Sequence, residues 1–224
     1  MQKLLAFVSI IFLLVLIVSA VVVSVGLNKI KSPGPLDQSL VHEVPRGASM
    51  KEIAQTLENK NVIKSALLFE IYARIYESDK AMKAGEYQFS RKSSIRDVVS
   101  KLRDGDVLLH QITIPEGLTN HQITTLLNKN EMLSGEISDM PPEGYLLPET
   151  YSFERGRSRQ EIVQRMHDAK KEALAELWPQ RQEGLPLNTM DEAVILASIV
   201  EKETAVAEER DKVAGVFVNR LQKG

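Results

Sequence analysis

The residues with the clearest chemical potential lie near the carboxy-terminal end of the sequence, in Asp191-Glu-Ala-Val-Ile-Leu-Ala-Ser-Ile-Val200-Glu201-Lys202-Glu203-Thr204. Val194 to Val200 is apolar nearly all round a helix, which predicts a buried helix, and charge arrives abruptly at Glu201. A carboxyl at the end of a buried helix is poorly solvated. Poor solvation favours the protonated form that a general acid needs near neutral pH. A glutamate in this position also commonly marks where a helix meets water, so residue type and position leave both roles open. Helical geometry does not choose between the two carboxylates either. Glu201 shares a face with Val194, Ala197 and Ser198, whereas Glu203 shares one with Leu196, Ile199 and Val200, the more apolar neighbourhood. Burial alone favours Glu203.

Other chemistries have less support. With no cysteine, a thiol nucleophile, a disulfide framework and a cysteine-based zinc site are excluded. His42, His110, His121 and His167 are scattered without metal-ligand spacing, so no metal site is expected. The chain carries 28 Lys and Arg against 30 Asp and Glu. Lys3, Lys29 and Lys31 are the only charges among the first 31 residues, so the remainder is acidic, with 25 basic against 30 acidic residues. Phosphate binding needs a concentrated basic face, and no nucleic-acid partner is expected.

The elements that must position the carboxylates follow from periodicity. Gln160 to Leu177 reads as a charged amphipathic helix whose stripe is Ile162, Val163, Met166, Ala169 and Ala173, bounded by Pro179; it reads as scaffold. Three segments share one pattern: Ser49-x-x-Glu52, Ser94-x-x-Asp97 and Thr119-x-x-Gln122, each followed by apolar residues four apart. The first and third are capping boxes, and Asp makes the second a weaker version. Val44-Pro45-Arg46-Gly47 parallels Ile114-Pro115-Glu116-Gly117, each a strand end, a Pro-x-Gly turn and a capped helix. Ser65 to Tyr76 predicts another helix, and Gly85 to Phe89 and Val107 to Ile114 predict strands. Residues 41–118 thus read as a small module of β–α–α–β character, which resembles a LysM-like module, a fold associated with binding N-acetylated glycans.

From Leu4 to Val25 only Ser9, Ser19 and Ser24 are not apolar. As a helix this stretch rises about 33 Å, enough to span a bilayer core. A cleaved signal peptide would have a shorter core and a small-x-small site, but Val21, Val22 and Val23 occupy that zone, so an uncleaved anchor is expected. Lysines on both sides leave its orientation open. Ser32-Pro33-Gly34-Pro35 breaks the helix and starts a linker.

Three motifs occur in a fixed order: Glu143-Gly-Tyr-Leu-Leu-Pro-Glu-Thr-Tyr151, Leu196-Ala-Ser-Ile-Val-Glu-Lys-Glu-Thr204, and Glu209-Arg-Asp-Lys-Val-Ala-Gly-Val-Phe-Val-Asn-Arg-Leu221. Together they resemble the YceG-like family of endolytic murein transglycosylases, from about Val44 to the end of the sequence and including the anchor. The resemblance implies that Glu201, not Glu203, is catalytic, and that the reaction cleaves the MurNAc–GlcNAc bond to leave 1,6-anhydroMurNAc ends without metal or cofactor. It implies substrate contacts at Glu149, Tyr151, Ser198 and Asn219. Glu149 departs from the family pattern, which has Asp there. It further implies a cytoplasmic amino terminus, a globular part facing the peptidoglycan from the plasma (inner) membrane, and work alongside peptidoglycan synthases. Family members continue beyond Asn-Arg-Leu through motifs that wall the cleft, so the catalytic domain is expected to be incomplete at its carboxy terminus.

The expected architecture is α+β: an anchor over 1–27, a linker over 28–40, the LysM-like module over 41–118 and a mainly helical catalytic domain over 119–224. A non-catalytic, membrane-anchored peptidoglycan-binding scaffold is the alternative function.

Overall fold

The computed structural model describes residues 2–76 and 81–223; Met1 of the expected anchor and Gly224, where the sequence ends, lie outside them. Helix and sheet are mixed, and the chain divides into two compact units, Met1–Leu108 and Leu109–Gly224.

The first unit opens with α1, Gln2–Lys31, whose apolar stretch is long enough to cross a bilayer. The helix stops where Ser32-Pro33 removes the backbone donor and clashes with the preceding turn. Its last turn and the segment after it join the globular core, since Ile30 and Leu36 are buried with the residues that follow. Strand β1 (Leu40–Val44), helices α2 (Met50–Asn59) and α3 (Ala66–Tyr76), and strand β2 (Gly85–Phe89) then run in β–α–α–β order, followed by α4 (Ile95–Asp104). β1 and β2 pair antiparallel from Leu40 opposite Phe89 to Val44 opposite Gly85. The helices cover that ribbon through Leu57, Phe69, Val98 and Leu102, and Tyr87 and Phe89 of β2 face them, all essentially inaccessible to solvent.

Capping sets where these helices begin. Ser49 caps α2, its N–H and hydroxyl both donating to Glu52 Oε2 at 2.8 and 2.9 Å. The box at α4 closes as fully despite its shorter acid: Ser94 N and Oγ lie 3.0 and 2.7 Å from Asp97 Oδ2.

His42 and Glu52 couple this unit to pH. Burial holds His42 below the ordinary histidine value of 6.5, with Lys60 assisting and Glu43 opposing. Hydrogen bonds from the Ser49 backbone and side chain hold Glu52 below the ordinary 4.5. Both folded-state values lie below the unfolded ones. Each group therefore contributes stability that is present above its unfolded value and is lost as pH falls through its folded value. Amide exchange in α2, corrected for its intrinsic pH dependence, is expected to speed up as pH falls from 6.5 to below 4.5, and Glu52→Gln is expected to remove the part due to Glu52. Unchanged protection across that range would refute the coupling.

The second unit contains β3 (Leu109–Thr113), α5 (Asn120–Lys129), β4 (Thr150–Glu154), α6 (Arg159–Leu177), α7 (Met190–Glu203) and α8 (Arg210–Lys223). The sequence pattern joins the strand near residue 110 to the module before it. Its hydrogen-bonded partner is instead β4, antiparallel from Leu109 opposite Glu154 to Thr113 opposite Thr150. The two-stranded sheet, α5 and α6 enclose Ile112, Ile114, Ile123, Leu127, Tyr151, Phe153, Ile162, Val163 and Met166. The α6 stripe faces this core through Ile162, Val163 and Met166. Arg159, at the start of α6, donates to the carbonyls of Leu127, Gly135 and Asn130 and so ties the loop after α5 to α6.

Candidate active site

The site grows from the reversal between α7 and α8. Thr189 begins α7 by accepting a hydrogen bond from Glu192 N. The helix ends at Glu203, and the next residue, Thr204, is buried. Thr204 Oγ1 donates to Glu209 Oε2 at 3.1 Å and accepts from Val206 N at 3.1 Å, so one hydroxyl organises the connection. A single 3₁₀ turn, Ala207–Glu209, leads into α8 at Arg210.

This connection places Arg210 Nη2 3.0 Å from Glu201 Oε2. The same nitrogen lies 3.7 Å from Glu116 Oε2. Glu116 belongs to the Pro115-Glu116-Gly117 turn that directly follows β3, and the neighbouring Lys202 Nζ donates to the Gly117 carbonyl at 2.7 Å. The end of α7 and the start of α8, close in sequence, thus meet the distant turn between β3 and α5. Glu201 is partly accessible, its side chain 32% exposed. Glu203 is exposed, two residues on and about 200° round the helix.

The predicted burial of α7 is corrected here. Val200 is buried, but Ile195 is 60% exposed and Ile199 38% exposed. Apolar periodicity reports how much of a helix surface is hydrophobic, not how many elements come within reach of it. Among the described residues α8 packs along one side of α7, and the Glu143–Tyr151 motif touches its first turns. Gly144 approaches Val194 so closely that a Cβ would sit 3.1 Å from Val194 Cγ1. The Tyr145 hydroxyl donates to Asp191 Oδ1. That bond is the chief reason why the phenol is held above its ordinary range, with desolvation and the Asp191 charge adding to it.

The other sequence-predicted residues fall in different settings. Ser198, one turn before Glu201, is exposed and its hydroxyl donates to Ile195 O at 2.7 Å. Glu149 is exposed just before β4; its side chain accepts from Thr150 N at 2.9 Å. Its carbonyl accepts from Ile114 N at 3.0 Å, which puts Glu149 at the same end of the sheet as the Glu116 turn. Tyr151 is 5% exposed and lies within the core, its hydroxyl donating to Leu147 O at 2.8 Å. Asn219 is exposed on α8, about two and a half turns beyond Arg210.

The sequence pattern assigns no role to Arg210 or Glu116, although both stand in segments it singles out. Arg210 lies in the Glu209-Arg-Asp motif, and Glu116 occupies the variable place of a Pro-x-Gly turn. Only the tertiary contacts distinguish them.

Gly117 adopts φ +71°, and a Cβ there would lie 3.1 Å from Lys202 Nζ. A side chain at such a backbone angle costs about 1–3 kcal/mol, while the lysine tip can move away at little cost. Gly117→Ala is expected to lower the melting temperature of the second unit, followed by Trp178 fluorescence. A wild-type melting curve would show that the turn tolerates the change.

The profile of the YceG-like family matches residues 42–224. The chain is similar to an endolytic murein transglycosylase of Streptococcus pneumoniae serotype 2 strain D39, 29% identical over 223 residues that cover 80% of this chain and 40% of the relative. It is also similar to an endolytic murein transglycosylase of Bacillus subtilis strain 168, 26% identical over 212 residues that cover 80% of this chain and 58% of the relative. The chain therefore spans 40% and 58% of the lengths of these two curated relatives. Among solved structures, a YceG-like protein of Listeria monocytogenes aligns at 28% identity and TM-score 0.40, over 83% of this chain and 71% of that one.

Proposed function

The chain belongs to the YceG-like family, and on that premise we propose that the protein is a membrane-anchored lytic transglycosylase acting within peptidoglycan glycan strands, with Glu201 as its acid and base. The observation that carries the reading is the state of Glu201. In the motif Val-Glu-Lys-Glu it is the carboxylate that is both reachable from solvent and held by a cation, at 3.0 Å from Arg210. Similarity to proteins named endolytic murein transglycosylases supports the substrate class.

The proposed reaction needs one carboxyl because the substrate supplies its own nucleophile. Protonated Glu201 gives its proton to the glycosidic oxygen as the bond from MurNAc C1 breaks. The resulting carboxylate takes the proton of the MurNAc 6-hydroxyl as O6 bonds to C1. The products are a GlcNAc 4-hydroxyl end and a 1,6-anhydroMurNAc end, with no water consumed. Most glycosidases use a second carboxylate as nucleophile or base. Intramolecular attack removes that need and can be worth roughly 7–11 kcal/mol through effective molarity. Ser198, Glu149 and Asn219 are proposed to line the sugar site, with Tyr151 supporting it from within the core.

The β–α–α–β order of the first unit supports a LysM-like role in holding glycan. Helix α1 supports anchoring, and the resemblance to the family supports a cytoplasmic amino terminus with the globular part facing the wall. An enzyme that ends growing strands would work beside peptidoglycan synthases; this last step rests on family resemblance. The test is mass spectrometry of purified sacculi digested by the full-length protein. Muropeptides with 1,6-anhydro ends are expected. Reducing ends would indicate hydrolysis, and retention on sacculi without release would indicate an anchored scaffold.

A further inference from the structure

We infer that Arg210 is a positioning residue for Glu201, and that Glu116 holds Arg210 in place; the inference rests on the reading of Glu201 as acid and base. Both members of the pair sit against their helices' electrostatic preference. Glu201 is in the last turn of α7, where the helix dipole disfavours an anion, and Arg210 opens α8, where it disfavours a cation. Neither charge stabilises its own helix. Their side chains are 32% and 41% exposed, and an ion pair that open to water contributes little to stability. In addition, Arg210 Nε is buried without a hydrogen-bond partner, a placement that generally costs stability. Fold stability does not account for a guanidinium kept there.

Chemistry does account for it. One nitrogen, Nη2, faces both carboxylates, with Glu201 Oε2 at 3.0 Å and Glu116 Oε2 at 3.7 Å. The Glu116 turn is in turn pinned to α7 by the hydrogen bond from Lys202 to Gly117 O. The guanidinium engages Oε2 of Glu201 and so leaves Oε1 to carry the proton in a fixed direction. As that proton departs, the charge developing on Glu201 meets a cation already in place, which requires no reorganisation at the moment of reaction. Glu116 keeps the cation from swinging towards solvent.

The test uses the full-length protein on soluble glycan strands, with anhydro-end release as the readout and melting temperature recorded for each variant. Arg210→Ala is expected to lower kcat roughly a hundredfold, the scale of a misplaced catalytic group, with KM within about twofold of wild type. Added guanidinium ion at millimolar concentration is expected to restore part of the lost rate. Arg210→Lys is expected to fall between the two and keeps the test open where the alanine variant folds poorly. Glu116→Gln is expected to lower kcat by a smaller factor. Because Arg210 acts through Glu201, Glu201→Gln with Arg210→Ala is expected to be no slower than Glu201→Gln alone. Wild-type kcat in Arg210→Ala, or additive losses without guanidinium rescue, would overturn the inference while leaving Glu201 assigned. Wild-type activity in Glu201→Gln would overturn both.

Discussion

Glu201→Gln is expected to lower the rate of anhydro-end release by about a thousandfold or more, since general acid–base catalysis alone contributes roughly 10²–10⁴ and the proposed reaction assigns both transfers to this one residue. Glutamine keeps the shape of the side chain and removes the titratable proton. The fold is expected to survive, because the pair with Arg210 is exposed enough to contribute little to stability. Substrate binding is expected to persist as well, so the loss appears in kcat rather than KM. Glu203→Gln is the matched control: its carboxylate is exposed, on a different face of α7, and near-wild-type turnover is expected. If the two variants lose activity equally, the assignment of the proton carrier to Glu201 fails.

Tyr151→Ala is expected to destabilise the second unit by about 3–5 kcal/mol, the usual range for emptying a buried aromatic site. Tyr151 pairs with Ile112 across the sheet, is 5% exposed, and has Arg165 over its ring at 5.7 Å. A loss of that size is a large part of the 5–15 kcal/mol that stabilises typical domains. Tyr151→Phe keeps the ring and removes only the hydrogen bond to Leu147 O, an expected cost of about 1 kcal/mol. Burial raises the phenol above its ordinary 10.0, with the Glu149 charge adding and Arg165 opposing. Its folded value lies above its unfolded one. The stability it contributes is therefore fully present below pH 10.0 and lost as pH rises through the folded value, a dependence that Tyr151→Phe is expected to remove. Urea denaturation followed at Trp178 measures all three effects. A Tyr151→Ala protein with wild-type stability and a raised KM would instead mark Tyr151 as a sugar-stacking residue.

Both expectations show which parts of this protein are written locally. The three capping boxes at Ser49, Ser94 and Thr119 are legible because the bonded groups are three residues apart. The α6 stripe and the break after Lys31 are legible for the same reason, since periodicity and proline act within a turn or two. The pairing of β3 with β4 is not, because a strand's own residue pattern does not name its partner.

At the site the division is sharper. By itself the sequence determined that a helix ends in a carboxylate, and the ordered motifs around Tyr145, Glu201 and Arg210 identified the family, whose resemblance implies Glu201 as the proton carrier. Only the tertiary structure decided that this carboxylate rests beside a guanidinium rather than in an apolar pocket, and that Glu116 shares that guanidinium. The reason is physical. Solvation and ion pairing depend on what lies within a few ångströms in space, and the Glu116 turn meets Arg210 and Lys202 from far off in sequence rather than through any local spacing.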